Sequence, residues 1–186
     1  MDKIRTFIAV DLPQDAKMEM DKLTSILRTE GRGINWVKAE NLHITLRFLG
    51  DIDQESVPKL AESIKTNIYG FGKFGLSFSG LGGFPNLKMP RVIWAGTDIG
   101  KDRLRDLATS VEMACIESKF GRGDKRFLAH LTIGRVKNPS GIGIIVKKIE
   151  RTAFQTKPYD IPAVTIFKSD LSPAGPKYMP LEIIRL

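Results

Sequence analysis

The 186-residue chain contains two histidines, His43 and His130, and both stand in the same local pattern. The first opens His43-Ile44-Thr45-Leu46-Arg47-Phe48 and the second His130-Leu131-Thr132-Ile133, so each imidazole is followed two residues later by a hydroxyl flanked with apolar residues. Imidazole has an unperturbed pKa of about 6.5 and can give or take a proton near neutrality. Two of them can be neutral and protonated at once. In-line displacement at phosphorus needs that combination: a base takes the proton of the incoming oxygen while an acid protonates the departing one, each within roughly 2.6–3.2 Å. Threonine hydroxyls, with a cation nearby, would hold the non-bridging oxygens as charge builds. Neither histidine has His, Cys or carboxylate companions at ligand spacing and threonine is a poor zinc ligand, so no metal and no other cofactor is expected. Nucleophilic catalysis by Thr45 stays geometrically open, because His43 shares its face.

Both motifs need a rigid element to present them. Strand side chains alternate between faces, which puts His43, Thr45, Arg47 and Leu49 on one side and Leu42, Ile44, Leu46 and Phe48 on the other. His130 and Thr132 likewise oppose Ala129, Leu131 and Ile133. Arg5 to Asp11 reads as a strand, and Ala16, Met20, Leu23 and Leu27 follow at helical spacing after Pro13, with Gly31-Arg32-Gly33 as a stop. A short run at Ile34 to Val37 precedes the first motif. A helix capped by Asp53 and striped by Val57, Leu60, Ala61, Ile64 and Ile68 follows it. Residues 74–81 and 91–96 read as strands, 101–119 as a helix, and Ser140 as the cap of a helix over Ile144 to Arg151. Ala163 to Lys168 and Tyr178 to Leu186 are the closing strands, separated by Ser172 to Pro176. The order strand, helix, His strand, helix occurs twice and suggests a duplication. Strands mixed with helices and short returns favour an α+β architecture.

Composition narrows the partners. Hydrophobic residues make up 42% and charged ones 27%, the balance of a globular chain with a real core. Lys and Arg number 29 against 21 Asp and Glu, a net charge of +8, which points to RNA or phosphate as partner; no polybasic amphipathic segment recommends a membrane. Cys115 is the only cysteine, so no internal disulfide forms, and the N-terminus shows no secretory pattern; a cytoplasmic protein is expected. Gly70, Gly72 and Gly75 match G-x-G-x-x-G but lie between a helix end and a strand, the reverse of a phosphate cradle.

With these residues in view, the chain resembles the two-histidine (2H) phosphoesterase superfamily, and within it the RNA 2′,3′-cyclic phosphodiesterases, also called 2′-5′ RNA ligases. The resemblance rests on the paired His-x-Thr-x motifs, on Phe7 to Pro13, on Trp36 to Leu42, on Phe48-Leu49-Gly50, on Arg91 to Trp94 and on Lys168 to Pro173. It covers essentially the whole chain, residues 1–186, as one domain of two intimately packed lobes. The implied fold has two pseudo-symmetric lobes, each an antiparallel sheet with helices outside, around a V-shaped cleft. The implied reaction opens a terminal 2′,3′-cyclic phosphate to a 2′-phosphate, with joining of tRNA halves through a 2′-5′ bond as the related activity. His43 becomes the proton donor and His130 the acceptor, an assignment that near-symmetric chemistry could not make by itself. Thr45 and Thr132 become donors to phosphate oxygens.

The resemblance also makes Arg135 a phosphate contact, although at five residues beyond His130 a regular strand would turn it away, so a bulge is required. Phe7 would stack a terminal base or else serve the core. Arg47 would be a cation at the cleft rim by strand parity. The expected substrate is RNA with a 2′,3′-cyclic phosphate or 2′-5′ ends, including tRNA fragments, acted on by a monomer. Ligation as the main activity and a non-catalytic RNA- or nucleotide-binding module are the competing readings.

Overall fold

The alternating run near the N-terminus forms β1 (Lys3–Asp11) in a computed structural model that describes residues 2–29, 33–124, 126–173 and 175–186. Helix α1 (Gln14–Arg28) follows Pro13, whose φ of −65° already suits a helical entry and whose carbonyl accepts the Lys17 N–H. Its buried stripe carries Ala16, Met20, Leu23 and Leu27. Gly31 and Arg32 of the glycine stop lie outside the described residues. Next come β2 (Ile34–Trp36), β3 (His43–Asp53), α2 (Val57–Asn67), β4 (Phe74–Leu76), β5 (Phe78–Phe84), β6 (Val92–Thr97) and α3 (Lys101–Glu117). The chain closes with β7 (His130–Val136), α4 (Ile142–Arg151), β8 (Tyr159–Ile161), β9 (Ala163–Ser172) and β10 (Gly175–Arg185).

The strands form two four-stranded antiparallel sheets, ordered β10-β9-β1-β3 and β2-β7-β6-β5, and a small β4-β8 pair. Each larger sheet carries one histidine strand, and the α+β architecture is that of two lobes facing across a cleft. Helix α2 packs on α3 and β10, α3 also on β3, and α4 on β5. One apolar cluster joins both lobes, with Ile8 and Ile44 from the first sheet, Ile93 and Leu131 from the second, and Met20, Leu60, Leu107 and Ile145 from the helices. Burying each such side chain contributes about 1.5–3 kcal/mol. No helix among the described residues is long and apolar enough to cross a membrane.

Three local expectations are corrected. The expected strand over 74–81 is two strands, because Ser77 is bonded through its N–H, carbonyl and hydroxyl to Asp98 and Ile99 and not to a strand partner. Asp53 does start the helical segment, as the N-cap residue of a 3-10 turn that leads from β3 into α2, but its side chain makes no cap hydrogen bond. Ser140 does not cap α4, which starts from Gly141 at φ 79°, a left-handed position that suits glycine. Strand β8, three residues between Pro158 and Pro162, is too short to leave a periodic signal.

Candidate active site

His43 and His130 are the first residues of β3 and β7, and the two strands approach each other although they belong to different sheets. His43 Nδ1 lies 2.7 Å from the Asn41 carbonyl oxygen, and His130 Nδ1 lies 2.6 Å from that of Leu128. A carbonyl only accepts, so each Nδ1 carries a proton and each neutral ring keeps its lone pair on Nε2. In both motifs the anchor is the residue two positions upstream, so the strand entry itself sets tautomer and ring orientation. His43 Nε2 sits 3.1 Å from Thr45 Oγ1 and, when neutral, accepts its hydroxyl proton. His43, Thr45, His130, Thr132 and Arg135 line one cavity of about 320 Å³.

Arg135 reaches that cavity through a bulge. Thr132 pairs with Trp94 and Gly134 with Ile93, so β7 carries one residue more than β6 between these pairs. The extra residue resets the alternation, and Arg135, opposite Val92, joins the face of His130 and Thr132. Gly134 packs closely here, since a Cβ would stand 3.1 Å from both Ile34 and the Trp36 ring and would push those side chains back by a few tenths of an ångström. Lys38 is the other cation of the lining, which contains no carboxylate among the described residues. The described residues also hold no group of His, Cys, Asp and Glu that could bind a metal.

A bulge of the same kind removes Arg47. Ala9 pairs with Thr45 but Ile8 with Arg47, so β3 gains a residue at Leu46 and the parity argument fails beyond Thr45. Arg47 therefore turns behind the sheet, where its side chain is 11% exposed and its Nε lies 3.3 Å from Glu112 of α3. The expected rim cation is not at the rim. Phe48 moves the opposite way, across from Phe7 and 48% exposed, where alternation had buried it.

Phe7 is only 4% exposed. It stacks on Phe167 at 5.2 Å, meets the edge of Tyr178 at 5.0 Å and lies 4.8 Å from the His43 ring. Its surfaces are occupied, so base stacking is corrected to a wall that holds the imidazole. Burial lowers the pKa of His43, and the field of Arg135 lowers it further against the opposing hydrogen bond to Asn41 and the charge of Asp11. His130 is also lowered, by burial first and then by Arg135, against its bond to Leu128. Both rings are thus biased toward the neutral form before an anion arrives.

Residues 10–94 match the LigT-like phosphoesterase family. The chain is 38% identical over 185 residues to an RNA 2′,3′-cyclic phosphodiesterase of Archaeoglobus fulgidus, covering 97% of this chain and 99% of that one. This chain belongs to the LigT-like phosphoesterases. A second RNA 2′,3′-cyclic phosphodiesterase, from Methanothermobacter thermautotrophicus, is 31% identical over 99% of this chain and its own full length. A crystal structure of a Thermus thermophilus protein superposes with a TM-score of 0.79 at 27% identity, covering 98% of each chain.

In this LigT-like phosphoesterase several residues in or against the cavity carry no sequence signal as site residues. Tyr178 meets the His43 ring edge-on at 5.1 Å, arriving on β10 from the far end of the chain. Phe84 of β5 stands perpendicular to the His130 ring at a centroid distance of 4.9 Å, so each imidazole packs against a perpendicular aromatic ring. Asn41 holds His43 through its carbonyl, while its side-chain amide donates to Pro176 at 3.0 Å and ties down the β9-β10 hairpin. Asn35, Trp36 and Lys38 also line the cavity. The Trp36 to Leu42 run contained three of the residues named here, Trp36, Lys38 and Asn41, but its residue types name no chemistry.

Proposed function

We propose that this phosphoesterase hydrolyses terminal RNA 2′,3′-cyclic phosphates to 2′-phosphates by acid–base catalysis between its two histidines. One observation carries the reading. Both imidazoles are tied by Nδ1 to backbone, and both line the cavity shared with two threonines and Arg135. His130 Nε2 takes a proton from water as its oxygen bonds to phosphorus. The bond from phosphorus to O3′ breaks, and protonated His43 gives its Nε2 proton to that oxygen. The site ends with His130 charged and His43 neutral, and proton exchange with solvent restores it. Thr45, Thr132 and Arg135 bind the non-bridging oxygens, where charge concentrates in the transition state.

The substrate is an RNA end, tRNA fragments among them, acted on by a monomer of one two-lobed domain. The absence of any possible internal disulfide supports a cytoplasmic setting. With an RNA 5′-hydroxyl in place of water the same residues would form a 2′-5′ bond, so product analysis is part of the test.

The deciding experiment incubates a short RNA bearing a 2′,3′-cyclic phosphate with enzyme in EDTA, beside His43→Ala and His130→Ala. A 2′-phosphate made only by the parent protein is expected. Full activity in His130→Ala, or a 3′-phosphate product, would overturn the mechanism. Tight binding without turnover would favour a binding module.

A further inference from the structure

Strand β3 leaves the catalytic cavity at Thr45 and enters a second, larger one, of about 840 Å³, within a few residues. Helix α3 forms one wall, Phe48 of β3 another, and Arg122, Gly123, Asp124, Arg126 and Phe127, which precede β7, a third. Phe48 is three residues beyond Thr45 and Phe127 three before His130. At about 3.3 Å per extended residue both lie within roughly 10 Å of the catalytic groups along the chain.

The lining has the chemistry of a single-strand track. Phe48 lies across from Phe7 in the β1–β3 ladder, hence on the cleft side, and is 48% exposed. The Arg5 guanidinium sits 4.7 Å from its ring centroid. Four arginines line the cavity, but Arg47 is engaged by Glu112 and Arg105 by Asp102 at 3.1 Å. Arg122 and Arg126 are exposed and make no ion pair among the described residues. An exposed ring beside two uncommitted guanidiniums matches the stacked bases and spaced phosphates of single-stranded RNA.

We propose that this groove binds the nucleotides immediately 5′ of the cyclic phosphate, with Phe48 stacking a base and Arg122 and Arg126 pairing with backbone phosphates. The proposal rests on the reading of the cleft as an RNA cyclic phosphodiesterase site. It makes the protein select RNA ends over free cyclic nucleotides through contacts outside the reacting cavity.

The test compares the parent with Phe48→Ala, Phe48→Leu and the double variant Arg122→Ser/Arg126→Ser on two substrates. One is an oligoribonucleotide ending in a 2′,3′-cyclic phosphate and the other a mononucleoside 2′,3′-cyclic phosphate. The oligomer's KM is expected to rise about tenfold in each variant, and the double variant's salt slope to flatten by about 1.4, as two lost phosphate contacts require. The mononucleoside's kcat/KM is expected to stay unchanged, which also shows that the fold is intact. Equal losses on both substrates, or no loss on the oligomer, would overturn the proposal. Fluorescence anisotropy of a labelled oligomer with a 2′-phosphate end reads the groove without turnover. If the parent hydrolyses neither substrate the reading of the cleft fails, yet weaker oligomer binding by the variants still supports the groove, and unchanged or absent binding overturns it.

Discussion

Arg47 stands four residues beyond His43 on the same strand, and its Nε lies 3.3 Å from Glu112 on the far side of the sheet. Its terminal nitrogen donates to the Gly121 carbonyl at 3.2 Å, while Glu112 accepts the Gly123 N–H at 2.7 Å. The strand of one histidine is thereby clamped to the segment that delivers the other.

Arg47→Ala removes that clamp and leaves a partly buried carboxylate short of a partner. A stability loss of about 1–3 kcal/mol is expected, seen as a lower thermal midpoint. The KM for a mononucleoside cyclic phosphate should remain within about twofold, because less than about 0.4 kcal/mol of binding is at stake away from the cavity. A raised KM with unchanged stability would put Arg47 back among the substrate contacts.

The pH profile follows from the two histidine shifts. The active free enzyme has one imidazole charged and one neutral. Both are held below 6.5, so near pH 7 the doubly neutral form dominates. Lowering the pH toward these values populates the active form, and kcat/KM should peak below about 6.5. Removing Arg135 takes away a charge that lowers both groups, so Arg135→Ala should move the alkaline limb upward while raising KM about tenfold, the loss of about 1.4 kcal/mol of phosphate binding. A kcat/KM maximum above neutrality in the parent would contradict the shifts.

His43→Ala and His130→Ala should each lower kcat by about 10²–10⁴, the range for a lost general acid or base. Because the two act in one step, the double variant should be little worse than either single one. Single-turnover rates on a cyclic-phosphate RNA would check this, and multiplicative losses would argue for independent roles.

Gly82 lies beneath the Trp94 indole, and a Cβ there would overlap the ring carbons. Trp94 in turn pairs across from Thr132. Gly82→Ala should therefore cost about 1–3 kcal/mol through overpacking and lower kcat by displacing the threonine's neighbour. Denaturant titration and kinetics would detect both, and an unperturbed variant would mean that the indole moves aside freely.

Cys115 is fully buried on α3, and burial pushes its thiol up to about 12. A thiol reagent at neutral pH should label it only when the protein unfolds, so labelling should follow the denaturation curve. Rapid labelling of the native protein would show that the core around α3 opens.

The chemistry was written in short patterns. Two His-x-Thr-x motifs in amphipathic strands specify their own alternation, and alternation alone places each imidazole beside its threonine. The helical stripes of α1, α2 and α3 are equally local, since a periodic apolar face declares what it must bury. What lay beyond such patterns was decided by the pairing of strands. A single extra residue at Leu46 sent Arg47 behind the sheet, and one before Gly134 brought Arg135 into the cavity. Bulges are set by register against a neighbour, which no stretch of one strand encodes. Tyr178 and Phe84 reach the histidines for the same reason. They come from strands remote in the chain, and only the closing of the two sheets brings their ring centroids to about 5 Å from those of the imidazoles.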